Sequence, residues 1–516
     1  MKKFLAILLA AIMVFSFAAC GEKKEEGKEP VAEPKVLNIA TKGNPVGLCP
    51  LTVAVGSANT PIQQFLFDRL FDFDANTGNT VPMLAKSYEV IDATHVKVEI
   101  RDDVYAYDGT TKFTASDVKF SLKLACDTGN AANYFNKYFD ADAIEVVDDT
   151  HVILAFAAED PFIMTAVSNI PYAMVCEKLW DSTESQNLFC TAGTGPYKVK
   201  EWVQDSYVLL EKNENYWGDK PYYDEIKLLI ITDASSRVMS LESGEVDICL
   251  EPNTADVVRL MDSKDVTVFN APTSNNYTLF LNNQKAPFDD IHARRACALA
   301  LDYENNVKVA VSGLGIAIDS MLPKTNKYYV KPTWNNYFHY DVEAAKAEWA
   351  QSKYAGKEIE VELSYAEGAT WDAYATLIQQ QWEVLGIKVK PAPMATAAFY
   401  DYIAAGSHTA EMINNSSPDP QAQYQFYDSR IGFKAARGGA GCAPIDGFQE
   451  KLDQAKLAAT SEADRAKLYG EIQQILDEYV PSIPLYIPTK TCLTNNDIKG
   501  IILTTVGDIN ASKAYE

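Results

Sequence analysis

The pattern of apolar and polar residues changes its period along the chain and predicts alternating strands and helices. Residues 96–100 alternate apolar and polar side chains, the period of a half-buried strand. A helix is predicted to begin near Thr114, because Thr114 can cap it and Asp117 then lies in the first turn. Three apolar residues of that segment fall on one helical face: Val118, Leu122 and Ala125.

A strand–helix–strand pattern follows in the second half of the chain. Residues 359–365 alternate as a strand, and Ile387 and Val389 begin another one after Gly386. Between them, five large residues recur at helical spacing: Trp371, Tyr374, Ile378, Trp382 and Leu385. This unit favours a parallel α/β arrangement. We expect the aromatic stripe to be core rather than a binding surface.

The last elements of the pattern are a long helix and a strand. Apolar residues mark the helix at Leu468, Ile472, Ile475 and Tyr479. Pro481 and Pro484 are predicted to bracket a return strand after it.

The first residues predict export from the cell. Two lysines precede an apolar run from Phe4 to Phe17, which is shorter than the roughly 20 residues that span a bilayer. Residues 1–19 are therefore predicted to be a secretory signal peptide. Small residues precede Cys20 and resemble the lipobox of bacterial lipoproteins, which implies a lipid on Cys20. The alternative is an ordinary signal peptide with an incidental cysteine.

Composition narrows the function classes. Residues 20–35 are rich in Lys, Glu, Pro and Gly and predict a flexible linker behind the lipidated cysteine. The net charge of −24 argues against nucleic acid as a partner. Nine cysteines are scattered without a C-x-x-C pair, and five histidines are far apart. We therefore predict no particular disulfide pairing, and we expect no metal site and no cofactor.

Eight short segments, in order, resemble motifs of the family-5 extracellular solute-binding proteins of ABC importers, the dipeptide, oligopeptide and nickel-binding group. They are residues 82–88 (PMLAKSY), 107–118 (YDGTTKFTASDV), 193–197 (GTGPY), 213–218 (NENYWG), 243–247 (SGEVD), 282–290 (NNQKAPFDD), 294–302 (RRACALALD) and 419–420 (DP). The glycines and prolines of these motifs are interpreted as structural, because they permit or fix tight turns.

The resemblance implies a fold and its division. It implies an α/β, two-lobed fold of the periplasmic-binding-protein type II kind, with mixed sheets, a hinge and a ligand cleft between the lobes. Lobe 1 would comprise residues 36–273 plus 484–516, and lobe 2 residues 274–483. The hinge would lie near Thr273–Tyr277 and near Pro481–Pro484.

The resemblance also implies a role. The chain is expected to be a monomeric, non-enzymatic lipoprotein, anchored to the outside of the bacterial cell membrane. It would capture peptides or a related small solute and deliver it to the permease subunits of an ABC transporter. Two alternatives are an exported hydrolase and a chemosensory or chaperone-like surface protein. The sequence contains no G-x-S-x-G, zincin or P-loop motif that would support the hydrolase. Its many carboxylates still allow a catalytic acid–base pair.

One departure from the family pattern bears on the ligand. Peptide-binding members carry a G-W-x-x-D stretch before Asp-Pro, and its acid pairs with the peptide's α-ammonium. Here residues 411–420 read EMINNSSPDP. The predicted ligand-binding residues are Asn275, Asn276, Tyr277, Asn414, Asn415, Ser416, Ser417 and Asp419.

These residues leave two classes of ligand open. The amides and hydroxyls offer neutral hydrogen bonds, which suits an oligosaccharide or another neutral solute. Alternatively, Asp419 or Glu411 replaces the missing acid, and the family favours a peptide. A glycine-rich segment from Arg430 to Gly447 adds Arg430 and Arg437, which either lie in a solvated loop or contact a ligand carboxylate.

Overall fold

Strands and helices alternate throughout the computed structural model. It describes residues 33–51, 59–73, 80–92, 94–128, 138–157, 173–181, 191–273, 275–416, 420–431, 444–457, 461–503 and 509–516. The strands are β1 Val36–Thr41, β2 Phe71–Phe73, β3 Thr80–Pro82, β4 Ala85–Val90, β5 His95–Ile100, β6 Glu145–Val146, β7 His151–Ala155, β8 Tyr197–Val203, β9 Tyr207–Lys212, β10 Glu225–Ile230, β11 Ile248–Leu250, β12 Val266–Pro272, β13 Asn275–Leu281, β14 Gly315–Ala317, β15 Ile359–Ala366, β16 Ile387–Met394, β17 Ala410–Ser416, β18 Ser482–Asn495, β19 Ile502–Leu503 and β20 Ile509–Asn510.

The α-helices of the described residues lie between these strands. They are α1 Thr60–Leu66, α2 Ala115–Asp127, α3 Ala234–Glu242, α4 Thr254–Leu260, α5 Ile291–Leu299, α6 Tyr303–Ala310, α7 Val342–Gln351, α8 Ala369–Trp382, α9 Thr396–Ala404, α10 Pro420–Tyr424, α11 Phe448–Lys456 and α12 Glu462–Tyr479. Short 3-10 turns occur at Glu177–Leu179, Glu383–Leu385 and Gln425–Tyr427.

The elements predicted from local periodicity are confirmed. β5 alternates half-buried and buried residues, and α2 begins directly after Thr114, whose N–H donates to the Asp117 carboxylate at 2.7 Å. β15 and β16 are parallel neighbours, with α8 between them in the chain. Gly386 ends the turn after α8 with a φ of 75°, a backbone conformation that glycine adopts without strain.

The predicted return strand is longer than expected. It was expected between Pro481 and Pro484, but β18 runs from Ser482 to Asn495. Pro484 lacks an N–H, and the pairing with β13 shifts register beside it, between Tyr277 and Thr278. A register shift of this kind lets a strand continue past a proline.

β18 is also the strand about which the main sheet is organised. The sheet has the order β16-β15-β17-β13-β18-β11-β1-β10-β9-β8. β12 pairs with the second half of β18, from Thr489 to Asn495, and β13 pairs with the first half. Because β12 and β13 follow each other in the chain, these two strands run antiparallel to β18 along almost its whole length. We call these two paired segments the crossing ribbon.

The crossing ribbon joins two large hydrophobic cores. The first core draws on residues 37–250 and 492–514, and the second on residues 279–486. β18 contributes Ile483, Leu485 and Tyr486 to the second core and Cys492 to the first. The change from one core to the other thus falls a few residues beyond the predicted hinge at Pro481–Pro484. The lobe boundaries themselves stay a prediction.

Two of the family-like motifs meet at one buried carboxylate in the first core. Thr194 Oγ1 donates to Asp68 at 3.0 Å, and Trp217 Nε1 donates to it at 2.7 Å. Tyr216 adds a third donor at 3.3 Å. Burial raises the pKa of Asp68 to about 6. The motifs around Thr194 and Trp217 therefore have the structural role that was expected of them.

The glycines beside Thr194 allow two backbone segments to approach each other. A Cβ on Gly193 would lie 2.6 Å from the carbonyl oxygen of Leu66, and one on Gly195 would lie 2.5 Å from its carbonyl carbon. Any side chain at these positions would push the end of α1 away.

The second core contains a comparable buried carboxylate, Asp477 near the end of α12. It accepts hydrogen bonds from Ser320 Oγ at 2.8 Å, from the Met321 N–H at 2.7 Å and from Trp334 Nε1 at 3.0 Å. Burial raises the pKa of Asp477 to about 7 despite these donors. The site lies just before β18, where the chain enters the crossing ribbon.

The raised pKa of Asp477 predicts a pH dependence of stability. The unfolded carboxyl has a pKa of about 3.9, so the folded state binds the extra proton between that pH and the folded pKa of about 7. The stabilisation is complete below about pH 4 and is lost as the pH rises to 7, at up to about 1.4 kcal/mol per pH unit. Urea unfolding at several pH values, followed by tryptophan fluorescence, measures it.

The variant Asp477→Asn does not titrate and is expected to show a smaller slope over this range. The matched control is Asp497→Asn at an exposed aspartate, which should keep the wild-type slope. An unchanged slope in Asp477→Asn would contradict the assignment.

Candidate ligand-binding site

The predicted ligand-binding residues come from two distant segments, and the structure pairs them. β13 and β17 are antiparallel neighbours, with Asn275 opposite Ser416, Asn276 opposite Asn415 and Tyr277 opposite Asn414. Six of the eight predicted positions thus form one ladder. Ser417 and Asp419 lie outside the described residues, as do Cys20 and the side chains of Asn415 and Ser416.

This ladder lies at the start of β13, where the crossing ribbon passes from one core to the other. Thr273 precedes it, and both its N–H and its Oγ1 donate to the carbonyl oxygen of Pro488, at 3.0 and 3.1 Å. The Asn275 N–H in turn donates to Thr273 Oγ1 at 3.2 Å. Side-chain and backbone bonds therefore hold the ladder against the opposite strand of the ribbon.

Aromatic rings form a wall beside the ladder. The ring centroid of Tyr277 lies 4.6 Å from that of Trp371 and 4.6 Å from that of Tyr486. Tyr486 stacks on Tyr374 at 5.1 Å. Tyr374 is buried, whereas Tyr277 and Trp371 are half-buried. Two of these rings therefore still expose part of their surface for contact with a ligand.

Trp371 belongs to the candidate site by its contact with Tyr277, and sequence reasoning did not select it. The stripe on α8 was expected to be core, and this holds for Tyr374 and Trp382. The indole N–H of Trp371, however, makes no hydrogen bond to any described residue. The available signal was its position in the first turn of a helix that follows the parallel strand β15, because ligands bind at the carboxyl ends of such strands.

Asn276 leaves a polar atom unsatisfied. Its side chain is only 7% exposed, and its Oδ1 is buried without a hydrogen-bond partner in the described part of the chain. A buried acceptor in this state costs about 1–3 kcal/mol. A ligand N–H or O–H that donates to this oxygen would recover that cost.

Glu411, considered above as a replacement for the family's acid, is poorly placed for a ligand. Its side chain is 0% exposed and lies on β17 opposite Phe280. Its Oε2 is 3.6 Å from Nδ1 of His408, which is equally buried. Glu411 belongs to the interior of the sheet, and this argues against its pairing with a ligand ammonium.

Arg430 also has partners within the protein. It donates to the carboxylate of Asp453 through two bonds of 2.7 and 2.9 Å and also pairs with Asp428. This favours the structural interpretation of Arg430 over a ligand contact. Arg437 lies outside the described residues.

A cavity of about 30 Å³ lies among residues of the first core and is lined by Gln63, Asp68, Tyr216 and Ser512. It has room for about two water molecules. That volume excludes a peptide, so the cavity is separate from the ladder site.

Within the described ranges, no three His, Cys, Asp or Glu side chains cluster as metal ligands. No helix of these ranges is both long and apolar enough to cross a membrane. Four buried cysteines have free thiols: Cys176, Cys249, Cys297 and Cys492.

Comparison with known families adds to this geometry. The sequence model of the bacterial extracellular solute-binding proteins, family 5 (middle), matches residues 79–434, more than half of the chain. The chain belongs to this family. This confirms the resemblance drawn from the motifs and makes the chain an extracellular solute-binding protein of the ABC-importer class.

Relatives of this solute-binding protein match it over nearly its whole length. Heme-binding protein A of Haemophilus influenzae is 24% identical over 543 residues, 98% of each chain. The dipeptide-binding protein of Escherichia coli is 24% identical over 517 residues, 92% of this chain and 93% of its own. Both are similar to this chain, and both names are those of binding proteins.

Solved structures confirm the predicted fold class. The unliganded open form of MppA, a periplasmic murein tripeptide binding protein, has a TM-score of 0.83 at 20% identity and covers 94% of this chain and 98% of its own. The structure is accordingly a mixed α/β fold with mixed sheets, like periplasmic binding proteins of the family.

The unsatisfied oxygen of Asn276 predicts a separation of affinity from stability. In Asn276→Ala, the ligand loses a hydrogen bond and its affinity should fall about tenfold. The stability of the unliganded protein should stay the same or rise, because the variant removes an unpaired acceptor. Calorimetric titration with the co-purified ligand and urea unfolding measure the two effects.

Asn282→Ala is the matched control on the same stretch of chain. Asn282 is also buried, but its Nδ2 donates to the carbonyl oxygen of His408 at 2.8 Å. Its loss should lower the free energy of unfolding by about 1–2 kcal/mol and leave ligand affinity unchanged. Equal behaviour of the two variants would contradict the role of Asn276.

Proposed function

We propose that this solute-binding protein captures peptides or a related small solute at the ladder of β13 and β17. The observation that carries the proposal is the pairing of Asn275, Asn276 and Tyr277 with residues 414–416 where the two cores meet. The two lobes expected for the family would close over the ligand by bending at the crossing ribbon. The loaded protein would then deliver the ligand to the permease subunits of an ABC transporter.

The unsatisfied Asn276 oxygen and the aromatic wall support a peptide-class ligand. A peptide presents one backbone N–H per residue, which can donate to that oxygen, and its side chains can contact Trp371 and Tyr277. The name of the dipeptide-binding relative agrees with this ligand class. We expect this protein to bind a free peptide N-terminus differently from other members of the family. Amide side chains occupy the part of residues 411–420 where peptide-binding members carry the acid.

A neutral solute such as an oligosaccharide is the second candidate. The side chains of Asn275, Asn276 and Asn414 are uncharged, and the nearby Glu411 is buried away from solvent. Amides and exposed aromatic rings are the groups that bind sugar hydroxyls and sugar faces. Relatives of equal identity are named for dipeptides and for heme, so the family alone leaves the choice of ligand open.

The protein is further proposed to act without catalysis and to be tethered at the cell surface. Relatives of the family are binding proteins, and binding followed by release needs no reacting group. A lipid on Cys20 and the linker of residues 20–35 would hold the monomer near its permease. A purified protein that hydrolysed peptides or glycosides would favour the exported hydrolase instead.

Titration calorimetry with a mixed peptide pool and an oligosaccharide panel separates the two ligand classes. The expected result is saturable heat with the peptide pool and none with the sugars. Native mass spectrometry of the freshly purified protein checks the result independently, through the mass of any retained ligand. Binding of the sugars alone would overturn the peptide assignment.

The anchor is tested by Cys20→Ala in the full-length precursor. The wild-type protein is expected in the membrane fraction, with a mature N-terminus at Cys20 that carries the mass of a diacylglycerol. The variant should lose this added mass and leave the membrane fraction. Wild-type protein recovered without the lipid mass would refute the anchor.

A further inference from the structure

The carboxyl ends of three parallel strands lie at one edge of the main sheet. β1 lies between β10 and β11 and is parallel to both. The chain therefore leaves the sheet at Thr41, Ile230 and Leu250 on the same side. In open α/β sheets, ligands bind outside such carboxyl ends, where neighbouring strands connect in opposite directions.

Charged side chains follow two of these strand ends directly. Lys42 comes after β1 and Glu251 after β11. Lys42 Nζ lies 3.2 Å from Glu251 Oε1 and 3.0 Å from its Oε2, and Lys490 Nζ from β18 lies 3.6 Å from Oε1. Two ammonium groups thus share one carboxylate, and the triad carries a net charge of +1.

The backbone at Glu251 is held in an unusual conformation. Its φ is +49°, a value that non-glycine residues seldom adopt. The buried guanidinium of Arg237 donates to the carbonyl oxygens of Glu251 at 2.6 Å, Leu250 at 3.0 Å and Ile231 at 2.7 Å. Arg237 thereby fixes the loops after β10 and β11, and its positive charge lies beside the backbone of Glu251. Strained positions held in this way are often found at binding sites.

The triad is continuous with the ladder site through β18. Tyr486, Pro488 and Lys490 alternate along one face of this strand, and Tyr486 contacts Tyr277 of the ladder. Lys490 lies four positions after Tyr486 in the strand, which corresponds to a rise of about 13 Å. An extended peptide of about four residues has this length.

We propose that Lys42 and Lys490 form an anion subsite that binds a carboxylate of the ligand, and that Glu251 occupies the two ammonium groups when no ligand is bound. The proposal rests on the function proposed above and adds the ligand's charge to it. Each ammonium has three donors, and in the part of the chain that the structure describes each lysine forms an ion pair with Glu251 alone. Donors therefore remain on both lysines for an incoming carboxylate.

An ordinary surface ion pair predicts a different outcome from a subsite. If the triad only stabilises the fold, loss of a lysine and loss of Glu251 should change the affinity for the ligand in the same direction or leave it unchanged. If the triad is an anion subsite, the two changes act in opposite directions. Loss of a lysine lowers the affinity for a carboxylate ligand. Loss of Glu251 raises this affinity, because Glu251 competes with the ligand for the same ammonium groups.

The test uses tetra-alanine and its C-terminal amide as probes, with titration calorimetry on the full mature chain. The wild-type protein should bind the acid about tenfold more tightly than the amide. In Lys42→Gln and Lys490→Gln this ratio should fall towards one, and in Glu251→Gln the acid should bind several-fold more tightly. The control is Lys200→Gln, because Lys200 pairs with Glu225 on other strands of the same sheet; it should keep the wild-type ratio.

An acid-to-amide ratio that is the same in the wild type and both lysine variants would overturn the subsite, as would weaker acid binding in Glu251→Gln. Glutarate, a dicarboxylate without a peptide bond, separates this result from failure of the proposed function. If neither peptide binds but glutarate binds the wild type and not Lys490→Gln, the peptide ligand is wrong and the subsite stands. If no probe distinguishes the wild type from the lysine variants, the subsite is wrong.

Discussion

The hydrogen bonding of the crossing ribbon is the constraint on which the rest of the structure depends. β12 and β13 both pair with β18, and this pairing runs from one hydrophobic core into the other. A paired ribbon resists stretching and shear but can bend and twist. Around Thr273, Pro272 and Pro488 lack an N–H, and the Thr273 N–H donates to the carbonyl oxygen of Pro488. The hinge predicted near Thr273–Tyr277 coincides with the ladder site, and we therefore expect any movement of one core relative to the other to be concentrated there.

Each core is organised about a buried carboxylate with similar partners. Asp68 and Asp477 both accept from a tryptophan indole and from a hydroxyl group. Burial raises the pKa of both carboxyl groups, so each one costs stability at neutral pH in exchange for a defined geometry. The tryptophans that these carboxylates hold are far apart in sequence from them, which ties distant segments together within each core.

Local elements and the family could be predicted from the sequence, whereas side-chain environment could not. Periodicity sufficed for β5 and for the unit of β15, α8 and β16, because burial of one face imposes it. The sequence predicted ligand-binding residues in two segments, around residues 275 and 414. Their direct pairing could not be predicted, because it depends on the order of strands in the sheet, which no local pattern encodes. The two prolines led to the prediction of a short strand at β18. The register shift that tolerates them depends on pairing with β13, which the local sequence does not show. The exposure of Trp371 and the burial of Glu411 depend on neighbours from other elements and were beyond sequence reasoning for the same reason.

The position of β18 within the chain has a consequence for biogenesis. This strand lies between β13 and β11 in the sheet, yet it is made only after most of the chain has been synthesised. Until β18 has been synthesised, no strand connects β11 with β13. The two halves of the sheet are then separate, and each has an unpaired edge strand. Such late, long-range pairing makes folding slow. A slowly folding chain stays extended for longer, which suits a protein whose predicted export requires it to be threaded through a membrane before it folds.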